Sequence, residues 1–537
     1  MNAKGLKEVA DQLFSKKSGL NSLWQEIADQ FYVERATFTQ CRSLGTDFAS
    51  HLTTSYPTKC RRDLGNQFST MLRPTARPWF HHVRRHVEKE KHEVKAYLEG
   101  WEHIQRRAMY DQGTLFVKST KEADHDFAAF GQCAISVEVN RHADGLLYRC
   151  HHLRDMCWQE NEEGKIGLVA RKWKPTAQTI ARLFKDRADH KILKMADKSP
   201  FEEIECLHMI VEADMYDDNA KGRPRWSIWY DCANQHVMEA TPIWGRFYII
   251  PRWQTVSDSQ YSYSPATVCA LPDARLIQAM TFTLLEAGEK ATSPPVIATQ
   301  DAVRSDVALY AGGITWVSED YDERLGDALR PLTQDFRGFN FGLQMNQETR
   351  AMIHSAFFLD SLVMPQRGPE MTAYEVGQRV QEYIRNALPI FEPMEQEYNA
   401  AICDETFELL WRSGTFGNPA SWPRELQGAS IDFTFESPLH DAIEQQKGQK
   451  FQEAGALIGG AIALDPACAY VPNATVALRD ALRGIGVPTD WLNSEDQVEQ
   501  AKKQAAQQQA AQQMLANLEQ GSMVAKNIGQ SGMVPAI

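Results

Sequence analysis

The stretch SPATVCALPDARLIQAMTFTLLEAGEKATSPP, residues 264–295, decides the architecture. Pro272 suits a first helical position, Asp273 places a negative charge in the first turn, and Pro294-Pro295 stops the run. A helix of about twenty residues, roughly 30 Å long, is predicted. Leu276, Ile277, Met280, Leu284 and Ala287 form one stripe, whereas Phe282 and Leu285 lie on other faces. More than one side of this helix therefore needs a partner.

Working outward, residues 292–341 hold a short run of β-formers, glycines and prolines (PPVIAT, ALYAGGITWVS), too small for a large core of its own. A second helix is predicted over Leu343–Asp360, with Met345, Met352, Ile353, Ala356 and Phe357 as its apolar positions. LVMPQRGPEM (362–371) reads as a loop, and Thr372 with Glu375 has the spacing of a capping box. A long helix follows to about Ser413, with Gly414 as its stop and Pro389 and Pro393 predicting a bend.

Upstream, residues 5–35 read as two helices broken at Ser18-Gly19, Asp47–Met71 as another, and 88–130 as helical. LRPTARPWF interrupts them with Pro74 and Pro78 and an apolar anchor, Trp79-Phe80. AISVEVN, LLYRCHHL, IGLVARKW, IECLHMIVEA, RWSIWYDC and GRFYIIPRW supply strands, with PTAQTIARLFKDRA returning to helix. The fold class is thus α+β, mainly helical and multidomain. IDFTFES is strand-like, and the last hundred residues are Ala- and Gln-rich and helical.

The chain of 537 residues carries 57 Lys plus Arg against 70 Asp plus Glu, a net charge of -13. That balance argues against gripping phosphate backbones by bulk electrostatics. Ten scattered cysteines suit a reducing compartment, and neither a signal peptide nor a long uninterrupted apolar run is evident. No phosphate-binding G-x-x-x-x-G-K-[ST], G-x-S-x-G or H-E-x-x-H occurs, so no catalytic residue, cofactor or metal site is assigned.

Three clusters invite chemistry and have plainer readings. Cys150, His151, His152 and Cys157 lack zinc-finger spacing, and successive strand residues point to opposite faces. His81, His82, Arg84, Arg85 and His86 suit a solvated edge or salt bridges better than nucleic acid. The aromatics from Trp226 to Tyr263 sit in strand-like segments and read as packing before base stacking.

Residues 264–295, with LRPTARPWF, LWQEIADQF, RDMCWQENEEGKIGLVARKWKPTAQTIARLF, IIPRW, AFFLD, MTAYEVGQRVQE and ESPLHDAIEQQ in that family's order, resemble the head-to-tail connector (portal) proteins of T7-like podoviruses over about residues 5–450. The resemblance implies a dodecameric ring in the virion, assembled in the host cytoplasm, through which double-stranded DNA is packaged and ejected. It implies a wing (1–265), stem helices (266–291 and 342–360) around a clip (292–341), and a tunnel loop (361–371). A wing helix and strand (372–440) and a crown with a tail (441–537) complete it. Implied partners are the terminase large subunit, tail adaptor or nozzle proteins, major capsid and scaffolding proteins and internal core proteins, with no membrane. Val363, Met364, Gln366 and Arg367 would face DNA, while Leu276, Ile277, Met280, Leu284, Met352, Ile353 and Phe357 would pack the stem. Where the family has Gly-Arg before Ser-Pro, this chain has Ser262-Tyr263. A non-channel tail component, or a metal-dependent nucleic-acid-processing enzyme with converging carboxylates, stays open as a rival.

Overall fold

The computed structural model describes residues 2–298 apart from 44, 48, 76–77, 88–90 and 217–219, then 338–361, 390, 392–435 and 451–461, and short pieces within 303–331, 382–386 and 465–508. Helices α1 (Ala3–Lys16) and α2 (Ser18–Phe31) open the chain. They break at Lys17, one residue before the predicted Ser18-Gly19, because the Lys17 side chain turns into the core. It is 1% exposed, and its ammonium donates to the carbonyls of Leu153 (2.7 Å), Arg154 (3.1 Å) and Met156. Burial lowers its pKa to about 8.

Helix α3 (Tyr56–Leu72) starts nine residues after the predicted Asp47, with Pro57 in its first turn. After Pro78 the chain enters β1 (Phe80–Arg84), then α4 (His92–Met109) and α5 (Phe116–Phe130). The helical stretch predicted over 88–130 is thus two helices, separated where Leu115 takes φ 58°.

The strands form two larger sheets. One has the order β3 (Leu146–Cys150), β2 (Ile135–Val139), β9 (Tyr248–Ile249). The other runs antiparallel in sequence order through β4 (Met156–Glu160), β5 (Ile166–Trp173), β6 (Cys206–Glu212), β7 (Arg225–Asp231) and β8 (His236–Ile243). Between β5 and β6 lie α6 (Ala177–Phe184) and α7 (His190–Lys198), and the one-turn α8 (Ala213–Tyr216) follows β6.

Both faces of this five-stranded sheet are covered. Leu6, Ala10 and Leu13 of α1 pack on Leu207, Met209, Val211 and Ile228. Ile180, Phe184 and Ile192 of α6 and α7 pack on Cys206, Met238 and Trp229. Two-sided burial explains why IECLHMIVEA reads as a nearly continuous apolar run. On the second face His208 is fully buried and stacked on Trp229 at 3.7 Å. Its ring nitrogens meet Tyr248 Oη (2.6 Å) and Ser227 Oγ (2.9 Å), which ties the five-stranded sheet to β9. Most of the Trp226–Tyr263 aromatics pack internally: Tyr261 lies 4.5 Å from Trp158 and Trp253 5.5 Å from Phe127, whereas Trp244 is 41% exposed under Arg412.

The chain forms two compact units, Met1–Trp79 with Gln105–Ser413, and Phe80–Ile104 with Gly414–Ile537. Residues 80–104 thus group with the C-terminal segment rather than with 1–265. In the second unit β1 pairs antiparallel with β14 (Ile431–Phe435), from Phe80↔Phe435 to Arg84↔Ile431. Trp101 packs on Trp422 (5.0 Å) and Phe416 (5.5 Å). The basic cluster is engaged locally: His81 contacts Glu102 at 2.7 Å, Arg85 pairs with Asp432 at 2.7 Å, and His82 is buried.

Candidate functional site

The segment quoted at the outset is one helix, α9 (Pro265–Thr292). After the two-residue pair β10 (Gln254–Thr255) and β11 (Ser262–Tyr263), Ser264 caps it by accepting from the Thr267 N–H, and Pro265 occupies the first turn. The helix therefore begins seven residues before the predicted Pro272, which lies inside it. An interior proline costs about 3 kcal/mol. Docking of this first part offsets that cost: Ala266, Thr267, Ala270 and Leu271 are buried, Ser264 Oγ donates to the Ala128 carbonyl at 2.7 Å, and Thr267 Oγ1 to that of Ala129 at 2.8 Å.

Gly131, at the end of α5, makes this docking possible. Its φ is +71°, and a Cβ there would lie 2.2 Å from the Tyr263 carbonyl carbon.

Beyond Ile277 the helix loses its cover. Phe282 is 54% and Leu285 56% exposed. The short antiparallel pair β12 (Val296–Ala298) and β13 (Leu329–Pro331) follows, and the chain returns in α10 (Gly338–Ala356). This helix begins and ends about four residues before the predicted Leu343–Asp360, and Phe358 beyond it takes φ 56°.

The two helices run antiparallel in contact. Asn346 Nδ2 donates to Thr281 Oγ1 at 3.1 Å, and at Gly342 a Cβ would sit 3.0 Å from Leu284 Cδ2. A groove of about 390 Å³ lies between them, lined by Met280, Thr283, Leu284, Ala287, Phe339 and Gly342 among others. At the inner end Gln278 clasps a loop: its Oε1 accepts from the N–H groups of Thr53 (2.8 Å) and Thr54 (3.0 Å), and its Nε2 donates to the Thr54 carbonyl (2.9 Å). Phe357 anchors the other helix, its ring 5.4 Å from that of Phe31.

Of the stem-packing positions named from sequence, Ile277, Ile353 and Phe357 are fully buried, and Leu276, Met280 and Leu284 are half-buried. Met352 instead faces outward and is 43% exposed. Gly342, Thr281 and Asn346, which set the close approach, were not among them; a small residue opposite Leu284 is their only trace in the sequence. Val363, Met364, Gln366 and Arg367 lie outside the described residues.

Large apolar side chains protrude from the pair between exposed polar ones such as Glu286 and Glu348. Phe341 (69%), Leu343 and Met345 of α10 join Phe282 and Leu285 in exposing large side chains. By length and composition α9 alone among the described residues is apolar enough to cross a membrane, with a mean hydropathy of 1.2 over eighteen residues. Yet its first half is embedded in the protein core, and polar Gln278 and Thr281 are engaged along its length.

The other clusters named from sequence disperse. Cys150 Sγ points at Asp126 (3.8 Å), His151 at Ser136 (2.9 Å), His152 at Thr37 (3.0 Å) and Cys157 at the Ala10 carbonyl (3.9 Å). Among the described residues no group of three or more His, Cys, Asp or Glu side chains is placed to hold a metal ion.

Residues 3–492 match the family model described as bacteriophage head to tail connecting protein. The chain belongs to this family of phage portal proteins. Similar proteins include the "Probable portal protein" of Bordetella phage BPP-1, 24% identical over 96% of this chain and 94% of the relative. The "Portal protein" of Salmonella phage epsilon15 is 21% identical over 98% of this chain and 95% of the relative. Among solved structures, a chain from the "Virion of native gene transfer agent (GTA) particle" matches 80% of this chain and 95% of its own length, with 10% identity and a TM-score of 0.37. This portal chain forms the DNA channel at the capsid vertex of the virion. Portal proteins assemble as oligomeric rings that connect to the tail, and are structural rather than enzymatic.

Proposed function

We propose that α9 and α10 are the stem of a dodecameric portal of the podovirus type, through which double-stranded DNA is packaged and later ejected. The observation that carries this reading is the uncovered apolar surface of the helix pair: Phe282, Leu285, Phe341, Leu343 and Met345 protrude from helices whose other ends are rooted in the core. A patch of this kind on a chain of net charge -13 marks an association surface. Neighbouring copies arranged around a hole cover it, each presenting the same pair to the next in a heterologous contact.

In this reading residues 1–265 and 372–440 make the wing, 266–291 and 342–360 the stem, 292–341 the clip and 441–537 the crown and tail. The clip docks the terminase large subunit during packaging and tail adaptor or nozzle proteins afterwards. Capsid, scaffolding and internal core proteins meet the wing and crown, and assembly takes place in the host cytoplasm. Residues 361–371 form the tunnel loop, with Gln366 and Arg367 ringing the DNA and Val363 and Met364 making adaptable apolar contacts. A mostly acidic wall suits a sliding duplex, because each fixed cation on a phosphate adds an attraction to be broken at every step.

Mass measurement of the purified assembly tests the ring. Twelve copies are expected, and a stable monomer overturns the reading. For the loop, Arg367→Glu is expected to impair packaging or ejection, and normal passage of DNA removes the assignment.

A further inference from the structure

We propose that adjacent copies in the ring are also joined outside the stem, by insertion of the β4–β5 hairpin tip of one copy into a basic cleft at the far end of the same sheet in its neighbour. This rests on the ring assembly proposed above and names a contact within it.

The two ends of strands β4, β5 and β6 carry opposite charge. At one end a cleft of about 690 Å³ is lined by Arg154, Arg171, Lys172 and Lys174 against Asp155 and Glu205. Arg154 pairs with Asp155 and Lys174 with Glu205, each at 2.9 Å, so Arg171 and Lys172 are the surplus. Aromatic Phe14, Phe38 and Trp173 complete the walls. At the other end Glu160, Glu162, Glu163, Glu212 and Asp214 gather around the hairpin against Lys165 and Arg225. The eight residues of β5 hold these ends roughly 27 Å apart at about 3.4 Å per residue. A single copy therefore cannot close one end on the other, whereas a head-to-tail neighbour can.

The tip is built to enter a cleft without reordering. Asn161 Oδ1 accepts from the N–H groups of Glu163 and Lys165, both at 3.0 Å, and its Nδ2 donates to Glu212 Oε1 at 2.9 Å. Gly164 supplies the φ of +73° that the turn needs. Arg252 clamps the base by pairing with Glu160 and with Glu397. Both Glu162 and Glu163 are exposed at the apex, and since Glu163 pairs with Lys165 at 2.6 Å, Glu162 carries the surplus charge of the tip. Preorganisation of this sort removes the ordering cost of association, and complementary charge sets its register.

The cleft holds its own reporter, the exposed Cys41 in its lining. In full-length Glu163→Cys protein, mild oxidation with copper-phenanthroline is expected to yield covalent multimers on a non-reducing gel. Adding Cys41→Ser is expected to abolish them, and Lys198→Cys, at the exposed end of α7, to give none. Separately, Glu162→Lys with Glu163→Lys, or Arg171→Glu with Lys172→Glu, is expected to weaken assembly roughly tenfold in protein concentration at low salt, and all four changes together to restore it. Circular dichroism confirms that each variant is folded. A ring without multimers and without response to charge reversal overturns the hairpin contact and leaves the portal ring standing. A wild-type monomer overturns both.

Discussion

Tyr398 and Asp124, 274 residues apart in the chain, meet in the core with the phenol donating to a carboxylate oxygen at 2.9 Å. Asp124 also pairs with Arg73, whose Nη1 donates to Asn399 Oδ1 at 2.9 Å, and all four side chains are at most 4% exposed. The backbone makes this possible through a π-helical turn, Glu395–Asn399, leading into α11 (Ala400–Arg412). Successive residues of the wider turn reach three partners: Glu397 takes Arg252, Tyr398 takes Asp124 and Asn399 takes Arg73.

Removing one member of this network leaves a buried charge without its partner. Asp124→Ala is expected to destabilise the protein by about 3–5 kcal/mol, because Arg73 stays buried and charged. Tyr398→Phe is expected to cost about 1–2 kcal/mol. Denaturant unfolding of the two variants checks the order.

Acid sensitivity follows from His208. Burial holds its pKa well below the usual value of 6.5, and His151 is displaced in the same direction by the same cause. The unfolded chain binds protons at these rings below pH 6.5 while the folded chain does not, so their contribution is present above 6.5 and is lost as the pH falls. The expected slope is about 1.4 kcal/mol per pH unit for each ring. His208→Gln is expected to flatten the decline of stability between pH 6.5 and 5, as read by unfolding at several pH values.

Lys17 acts at the other end of the scale. Its amine titrates near 8 in the fold and near 10.5 when unfolded, because burial disfavours the charge. Between those values the unfolded state holds the extra proton, and stability rises with pH by about 1.4 kcal/mol per unit. Lys17→Met, which lacks this titration, is expected to lose ground to the wild type from pH 8 to 10 in melting experiments.

Gly131→Ala is expected to dislodge the start of α9. The substitution meets both a left-handed backbone and the Tyr263 carbonyl carbon at 2.2 Å. A loss of about 3 kcal/mol or more is expected from the displaced backbone, visible as a lowered melting temperature.

Phe282→Asp with Leu285→Lys separates assembly from folding. Both side chains are more than half exposed, so the stability of one copy is expected to change by less than about 0.5 kcal/mol. The ring is expected to fall apart to smaller species by mass measurement.

Patterns with local causes were legible. The helical stripe Leu276–Ile277–Met280–Leu284 and the Gly414 stop appear where spacing and turn chemistry put them, the latter with φ +73° just past α11. Strand β4 was missed: RDMCWQE has no alternation, because Met156, Cys157 and Trp158 are all buried. The strand segments AISVEVN and IGLVARKW fall into different sheets, since pairing partners are chosen by packing across the chain.

The sequence by itself determined the order of elements, the paired helices about a short insert, the absence of common catalytic signatures and membership in the portal family, because periodicity, caps and motif order are local properties carried by neighbouring residues. Only the tertiary structure decided that α9 begins at Pro265 and keeps Pro272 inside it, that Lys17 splits the first helices, and which apolar residues of the pair remain uncovered. Those outcomes depend on contacts between residues far apart in the chain, where burial of Ala270 and Ile277 or a close approach at Gly131 outweighs the local preference of any single residue.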